Sequence, residues 1–330
     1  MKKILTLLVL TLSFGNVHAQ NTNKLKKELL SSIEQKSNDL ISISDNIWKA
    51  AEVAFREEKS AEYLIDYAEQ NGFKIDKGLA GMPTAFTATY GEGSPVIGII
   101  GEFDALPGLS QTTVPYKNEL TEGGAGHGCG HNLFGTASLG AAVAIKELIE
   151  KGALTGTVKY YGTPAEEGGS GKVYMVRAGL FDDVDAVLHW HPSSSNAANA
   201  ESSNSNKSAK FKFSGISAHA AGSPHKGRSA LDGVEAMNYM VNMMREHVPQ
   251  ETRIHYVITR GGEAPNVVPD FAEVYYYVRH PQAEKLQQLW KRVIDISSAA
   301  ALGTGTDVEV EVMHGNHSLL PNEKLARQMH

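Results

Sequence analysis

The chain has 330 residues, of which 42% are hydrophobic, and a formal net charge of -6 at pH 7. This length is more than one simple core usually accommodates and indicates two domains. The negative charge argues against nucleic acid or an anionic membrane surface as a partner. Because Cys129 is the single cysteine, an internal disulfide framework is excluded, and its thiol must be buried, reactive, paired between chains or bound to metal.

The first twenty residues have the three-part pattern of a secretory signal peptide. Two lysines precede an apolar run from Ile4 to Phe14, and Val17-His18-Ala19 ends in a small residue. The run is shorter than the roughly 20 apolar residues of a membrane-spanning helix. We therefore predict a signal peptide over residues 1–19 and a protein that is exported to the periplasm or secreted, without membrane association after cleavage.

Helices and short apolar strands alternate after this segment. Apolar spacing predicts a helix from Lys24 to about Phe55 and a second one, Ala61–Gln70, that stops at Asn71-Gly72. The next predicted elements are a strand, an Ala-rich helix and two strands, at Pro95–Ile100, Leu133–Lys151, Thr157–Tyr161 and Val184–Trp190. The alternation predicts an α/β domain over residues 20–205, with a mostly parallel sheet and helices on both faces.

A stretch rich in Ser and Asn, Ser193–Ser208, marks a change of composition and a domain junction. The order predicted beyond it is strand, helix, strand, strand, helix, strand. These elements are Lys210–Phe213, Ala230–His247, Arg253–Thr259, Ala272–Val278, Ala283–Ala301 and Val308–Met313. This is the order of a ferredoxin-like α+β domain, which we place at residues 206–314 as an insertion, with residues 315–330 returning toward the first domain.

Side chains that bind metals lie where the predicted strands end or where the Ala-rich helix begins. They form four groups: Asp104; His127, Cys129 and His131; Glu166 and Glu167; and His189 and His191. Ligands bind outside the carboxyl ends of parallel strands, so we expect these groups to meet at one edge of the sheet. Clustered carboxylates and a thiolate repel one another unless a cation lies among them, which predicts zinc or manganese. We also expect the helix N-terminus to favour the thiolate form of Cys129.

Other interpretations remain open at this point. Taken singly, acids at strand ends often lie in solvated loops, and buried histidines are mostly hydrogen-bonded core residues. A structural zinc site is closed and cysteine-rich, whereas an acid pair suits catalysis, with one carboxylate on metal and its neighbour accepting a proton from water. Cys129 could be a nucleophile with His127 or His131 as its base, but this leaves both glutamates without a role. A non-catalytic metal-binding or assembly module is a further alternative.

The stretches GHGCGHNLFG and TPAEEGGSGK resemble motifs of the dinuclear-metal aminoacylase and carboxypeptidase superfamily. Within it, they are most similar to the amidohydrolase branch that includes auxin-conjugate hydrolases and the B subunit of p-aminobenzoyl-glutamate hydrolase. The resemblance runs from about Ile47 to the end of the chain. It implies a zinc-peptidase-like catalytic domain with two divalent ions, Zn or Mn, that hydrolyses N-acyl or N-aryl amino acids.

The resemblance also implies roles for individual residues of the first domain. Glu166 corresponds to the general base that deprotonates water, and Asp104 of the DALP motif corresponds to a residue that orients the ligands. His189 is the less favoured alternative to His191 as a metal ligand. The implied metal ligands are Cys129, His131, Glu167 and His191.

In the ferredoxin-like domain, the resemblance implies a lid through which two chains form a homodimer. His219 of SAHAAGSP matches a histidine that stabilises the oxyanion in a neighbouring subunit, and Asn266 of GGEAPNVVPD matches a substrate contact. Both residues are therefore implied substrate-binding positions.

Two features depart from the pattern of the family. Asn132 follows the CGH triplet where relatives often have aspartate, as expected for the p-aminobenzoyl-glutamate-like branch. Relatives also supply a last histidine ligand after the lid, and the positions of His314, His317 and His330 do not match it. We therefore expect the catalytic domain to lack its C-terminal part, with weak metal binding at one site.

Overall fold

The computed structural model describes residues 22–330, so the predicted signal peptide at residues 1–19 lies outside the described residues. The described chain divides into two compact units, one ending at Ser194 and the other spanning Ser195–His330. The boundary falls inside the polar stretch Ser193–Ser208. Within residues 22–330, no helix has both the length and the apolar character needed to cross a bilayer.

The first unit contains a five-stranded mixed sheet in the order β1-β2-β4-β3-β5. Strand β3 is parallel to β4 and β5, whereas β2 is antiparallel to β1 and β4. The strands are β1 (Lys74–Lys77), β2 (Phe86–Glu92), β3 (Val96–Glu102), β4 (Gly156–Thr163) and β5 (Ala186–Leu188). The helices are α1 (22–35), α2 (Ser37–Ala50), α3 (Glu58–Gln70), α4 (His131–Glu150), the short turn α5 (Glu166–Gly169) and α6 (Gly171–Arg177). The predicted α/β class is confirmed, and the antiparallel edge comes from β1 and β2, two strands that the sequence analysis does not predict.

Alternate residues of the central strands face two separate cores, as the wholly apolar run PVIGII predicts. Ile99 and Tyr160 pack with buried side chains of α2, α3 and α4 on one face. Ile100 and Tyr161 pack on the other face with Met175 of α6. Since neighbouring residues of a strand point to opposite faces, these pairs show that the middle of the sheet is covered on both sides.

The prediction of one helix from Lys24 to Phe55 is wrong, because the chain breaks at Lys36 and α2 ends at Ala50. The Lys36 side chain pairs with Glu147 of α4, and Ser32 donates a hydrogen bond to the same carboxylate at 2.7 Å. The break thus coincides with contacts that hold both helices to α4. The predicted strand Val184–Trp190 is also too long, since β5 covers only Ala186–Leu188.

Two glycines place the start of α4 beside the end of β3. Gly130 precedes the helix with φ of 74°, in the left-handed region that glycine adopts without strain. A Cβ atom on Gly135 would lie only 2.6 Å from the carbonyl oxygen of Glu102, so this close approach requires glycine. His131, the first residue of α4, is thereby brought next to Glu102 and Asp104.

The second unit is a four-stranded antiparallel sheet in the order β7-β8-β6-β9, with two long helices. Its elements are β6 (Ser205–Ser214), α7 (Ala230–Met244), β7 (Arg253–Arg260), β8 (Phe271–His280), α8 (Ala283–Thr304), β9 (Asp307–Asn316) and α9 (Glu323–Met329). Phe211 and Tyr276 of the sheet are fully buried with Trp290 of α8 and Met237 of α7 in one core. The order from β6 to β9 is the predicted ferredoxin-like one.

Candidate metal centre

Several of the side chains predicted to meet at one edge of the first sheet lie together there. Ligand atoms of Cys129, His131 and His191 lie within 4.8 Å of one another, and the same holds for Glu102, His131 and Glu166. The residues come from the end of β3, the loop into α4, the turn after β4 and the segment after β5. The topology of parallel strands therefore assembles the cluster from segments that are distant in sequence.

Asp104 orients two members of this cluster. His131 is 1% exposed, and its Nδ1 lies 3.0 Å from the carbonyl oxygen of Asp104 and 3.1 Å from Oδ1. The second carboxylate oxygen, Oδ2, accepts a hydrogen bond from the backbone N–H of Glu167 at 2.8 Å. Burial alone would lower the pKa of His131, but the adjacent carboxylates of Asp104 and Glu102 raise it to about 10. The ring is thus held with Nε2 facing the cluster.

Replacing Asp104 with asparagine should weaken zinc binding by about 10- to 100-fold, the usual cost of losing a group that orients a ligand. An amide oxygen can accept from His131 or from the Glu167 N–H, but the amide nitrogen cannot accept the other bond. Calorimetric titration with Zn²⁺ measures the change, and Asp76→Asn on an exposed strand residue is the matched control. Equal affinity of Asp104→Asn and wild type would show that Asp104 does not orient the ligands.

Cys129 is partly buried, and its thiol is in contact with the carboxylate of Glu167. Burial, followed by the negative charges of Glu167, Glu166 and Asp104, raises the pKa of Cys129 to about 12. Without a cation, the helix N-terminus does not suffice to favour the thiolate, because burial and full carboxylate charges outweigh the partial charge of a helix end. A thiol with this pKa is a poor nucleophile at neutral pH.

Glu166 and Glu167 lie in α5, a turn flanked by left-handed residues at Ala165 (φ 57°) and Ser170 (φ 54°). Glu166 is exposed to solvent. Partial desolvation of its carboxyl group and the charges of Glu102 and Glu167 nevertheless raise its pKa. Lys172 opposes this shift. A carboxylate with a raised pKa is suited to accept a proton from water.

The turn is fastened by Glu57, which the sequence analysis does not single out. Its side chain is fully buried, with 0% exposure. The carboxylate accepts hydrogen bonds from the backbone N–H of Ala165 at 2.8 Å, the N–H of Phe55 at 2.9 Å and the hydroxyl of Thr84 at 3.0 Å. Glu57 therefore links the segment before α3 to the residue that precedes Glu166.

Glu102 is a second residue that the sequence analysis misses. It is 2% exposed at the end of β3, two positions before Asp104. Burial would raise the pKa of its carboxyl group, but His131, His189 and Lys172 together hold it well below the usual range. The available sequence signal was the spacing in GEFDALPG, because residues two apart in an extended strand share a face.

His189 and His191 both reach the cluster, in different ways. His191 places Nδ1 at 2.8 Å from the carbonyl oxygen of Pro192 and Nε2 at 3.3 Å from Nε2 of His131. His189 is half exposed, and its Nε2 lies 3.6 Å from Glu102. Trp190 between them donates a hydrogen bond to Ser138 at 3.0 Å.

His127 is not part of either group of ligand atoms. Its Nε2 lies 3.1 Å from the carbonyl oxygen of Ile47, which attaches the loop before α4 to the end of α2. Burial lowers the pKa of the ring. This ring therefore anchors the loop.

The donor set fits a divalent metal ion. Sulfur, imidazole nitrogen and carboxylate oxygen are the donors that zinc takes in proteins. Among residues 22–330, the buried atoms Oε1 of Glu167 and Oε2 of Glu102 have no hydrogen-bond partner. A cation would also reverse the raised pKa of Cys129, since a coordinated thiol is deprotonated. The residues that would hold it are Cys129, His131, Glu167 and His191.

His219 and Asn266 lie in neighbouring segments of the second unit. The backbone N–H of Ala220 donates to the carbonyl oxygen of Asn266 at 3.0 Å. Nδ1 of His219 accepts hydrogen bonds from the N–H groups of Ala221 at 3.2 Å and Gly222 at 3.0 Å. Because Nδ1 is an acceptor, the neutral ring carries its proton on Nε2.

An α/β unit with a cysteine, histidines and an acid pair gathered at one sheet edge is typical of the class of α/β hydrolases that use a metal centre. Residues 98–330 match the profile of Peptidase family M20/M25/M40, and the chain belongs to this family. The match confirms the resemblance to the dinuclear-metal aminoacylase and carboxypeptidase superfamily.

Individual relatives agree with this assignment. The chain is 46% identical over 290 residues to the B subunit of p-aminobenzoyl-glutamate hydrolase from Escherichia coli K12, covering 87% of the chain and 60% of that relative. It is 32% identical over 324 residues to the Xaa-Arg dipeptidase of Mus musculus, covering 94% of the chain and 71% of the dipeptidase. The chain thus spans about three fifths to seven tenths of the length of these relatives.

Solved structures share the fold. An aminobenzoyl-glutamate utilization protein from Klebsiella pneumoniae superimposes with a TM-score of 0.70 at 19% identity, over 91% of this chain and 81% of that one. A dinuclear metal binding peptidase of the M20 family from Bacillus subtilis gives a TM-score of 0.58 at 20% identity, over 89% and 81% of the two chains.

Proposed function

We propose that the protein hydrolyses the amide bond of N-acyl or N-aryl amino acids, such as p-aminobenzoyl-glutamate, in a metal-dependent reaction. The observation that carries the proposal is the convergence of Cys129, His131 and His191 beside the acid pair Glu166-Glu167. Membership of the M20 family and the names of the relatives, which include a p-aminobenzoyl-glutamate hydrolase and a dipeptidase, support an amide substrate.

Two divalent ions, zinc or manganese, would be held by Cys129, His131, Glu167 and His191. When bound, such ions polarise a carbonyl group and lower the pKa of water from about 16 toward about 7. This supplies the electrophile and the nucleophile of an amide hydrolysis at neutral pH.

Glu166 moves the protons in the proposed reaction. Its carboxylate takes a proton from the attacking water, and the resulting acid gives that proton to the leaving nitrogen. The raised pKa of Glu166 suits the first step, because its carboxylate is a stronger base than that of an ordinary glutamate. Glu57 holds the turn at Ala165, and Asp104 holds the Glu167 backbone, so the acid pair keeps its orientation.

The second unit is proposed to act as a lid and to form a homodimer. The Nε2–H of His219 would donate a hydrogen bond to the oxyanion of a neighbouring subunit, and Asn266 would contact substrate. The two hydrogen bonds that Nδ1 of His219 accepts support this role, since they leave Nε2 as the donor. The signal-peptide pattern at residues 1–19 supports export to the periplasm or secretion.

We expect a chelator to abolish hydrolysis and added Zn²⁺ or Mn²⁺ to restore it. Release of the amine product from p-aminobenzoyl-glutamate and from a panel of N-acyl amino acids measures the reaction. Alkylation of the metal-loaded protein is the comparison, because a cysteine nucleophile would make activity resistant to the chelator and sensitive to alkylation. Absence of cleavage of every N-acyl and N-aryl amino acid by the metal-loaded protein would contradict the proposed function and favour a non-catalytic metal-binding module.

A further inference from the structure

We propose that Glu102 is a further metal ligand, binding through Oε2 beside Nε2 of His131. The inference rests on the metal dependence of the proposed function, but metal binding tests it without any measurement of hydrolysis. None of the ligand positions implied by the family motifs includes this residue.

Ligand atoms of Glu102, His131 and Glu166 lie within 4.8 Å of one another beside the end of β3. Nε2 of His131 lies 3.1 Å from Oε2 of Glu102. Two ligand atoms on one tetrahedral zinc, each about 2.1 Å from the metal, lie about 3.4 Å apart. The distance between Oε2 and Nε2 is thus that of two ligands that share an ion.

The remaining ring nitrogens are already occupied. Nδ1 of His131 faces the carbonyl and carboxylate oxygens of Asp104, and Nδ1 of His191 faces the carbonyl oxygen of Pro192. Nε2 of His131 is therefore the ring nitrogen directed at Oε2 of Glu102, and Nε2 of His191 lies 3.3 Å from it. This is the arrangement in which a histidine ligand is oriented through its other nitrogen.

The carboxylate of Glu102 divides its contacts between its two oxygens. Oε1 pairs with Lys172 and lies 3.6 Å from Nε2 of His189. In the described part of the chain, Oε2 is buried and makes no hydrogen bond, because the close Nε2 of His131 is not aligned as a donor. A buried carboxylate oxygen without an aligned hydrogen bond is costly, and a cation between Oε2 and the His131 ring would lower that cost.

The competing interpretation is that Glu102 serves only as the counterion of Lys172 and His131. Four variants separate the two roles: Glu102→Gln, Glu102→Asp, Lys172→Met and the exposed control Asp76→Asn. Asp at position 102 keeps the charge but withdraws the oxygen by about one carbon–carbon bond, roughly 1.5 Å. Met at position 172 removes the cation from Oε1 and leaves Oε2 in place.

The test is titration of each variant with Zn²⁺ by calorimetry and with Co²⁺ by visible absorption. We expect both Glu102 variants to lose at least about 100-fold in Zn²⁺ affinity, more than loss of an orienting group costs, and to change the Co²⁺ absorption band. Lys172→Met and Asp76→Asn should stay within about threefold of wild type, since neither removes a ligand.

An unchanged Co²⁺ spectrum in both Glu102 variants would overturn the proposal, even if affinity falls, because the ion would keep the same donors. Circular dichroism identifies a variant that does not fold, and the Asp substitution then replaces Gln as the deciding one. If the protein hydrolyses no amide but the Glu102 variants still lose Zn²⁺ as expected, the ligand assignment holds and only the proposed function fails.

Discussion

Glu166→Gln should lower kcat by about a thousandfold or more while the metal content per chain stays at the wild-type value. General base catalysis contributes about 10²- to 10⁴-fold, and a glutamine amide accepts no proton from water. The substitution is nearly isosteric and lies in a turn that Glu57 and Asp104 hold from both sides. The loss therefore reports the missing base and not a displaced loop.

The neighbouring variant Glu167→Gln supplies the contrast. Glu167 has a buried oxygen without a hydrogen-bond partner among the described residues and touches the thiol of Cys129, so its removal should reduce bound metal as well as activity. Steady-state kinetics on p-aminobenzoyl-glutamate and elemental analysis of the same samples measure both quantities. Loss of metal from Glu166→Gln would identify Glu166 as a ligand, and retention of more than about a tenth of kcat would remove it as the base.

The place of the metal-binding side chains at one edge of the sheet could be predicted from the sequence, because the topology of the sheet fixes it. PVIGII predicts a strand covered on both faces, and parallel strands bring their carboxyl ends to one edge. Cys129, His131 and Glu167 follow from that rule with no knowledge of distances. The ferredoxin-like order of the second unit follows likewise from alternating strands and helices.

Glu57 could not be predicted in this way, because it is one of several charged residues in the stretch REEK, and Glu102 has no signal except its spacing from Asp104. What distinguishes them is burial and the partners that approach them, which depend on contacts between distant segments. The same limit explains β1, whose sequence KIDK is polar because that edge strand is largely exposed. It also explains the pKa of Cys129, which depends on three carboxylates from other parts of the chain.

Glu57→Ala should destabilise the protein by about 3 kcal/mol, the largest effect on stability that we expect from a single change near the centre. The alanine would leave the N–H groups of Phe55 and Ala165 and the hydroxyl of Thr84 without their acceptor in a buried place. Each buried polar group left unpaired costs about 1–3 kcal/mol, and Phe55 and Ala165 already have positive φ angles of 64° and 57°. Urea denaturation monitored by circular dichroism measures the shift.

Two variants separate the hydrogen bonds from the charge. Glu57→Gln keeps an oxygen that accepts from both N–H groups, so we expect it to retain most of the stability, while Glu58→Ala, on the exposed next residue, should cost less than about 1 kcal/mol. Equal stabilities of Glu57→Ala and Glu58→Ala would show that the hydrogen bonds of Glu57 are dispensable for folding.

The pH dependence gives an independent check on Glu57. Burial, with a contribution from the charge of Asp104, raises its pKa above that of the unfolded chain. The stabilisation from the bound proton is therefore complete below the ordinary glutamate pKa and is lost as the pH rises through the raised value. Glutamine does not titrate, so the stability of Glu57→Gln relative to wild type should increase across that interval, whereas a constant difference would mean that folding does not change the pKa of Glu57. Because Glu57 accepts a hydrogen bond from Ala165, the residue before Glu166, the same titration reports on the turn that carries the proposed base.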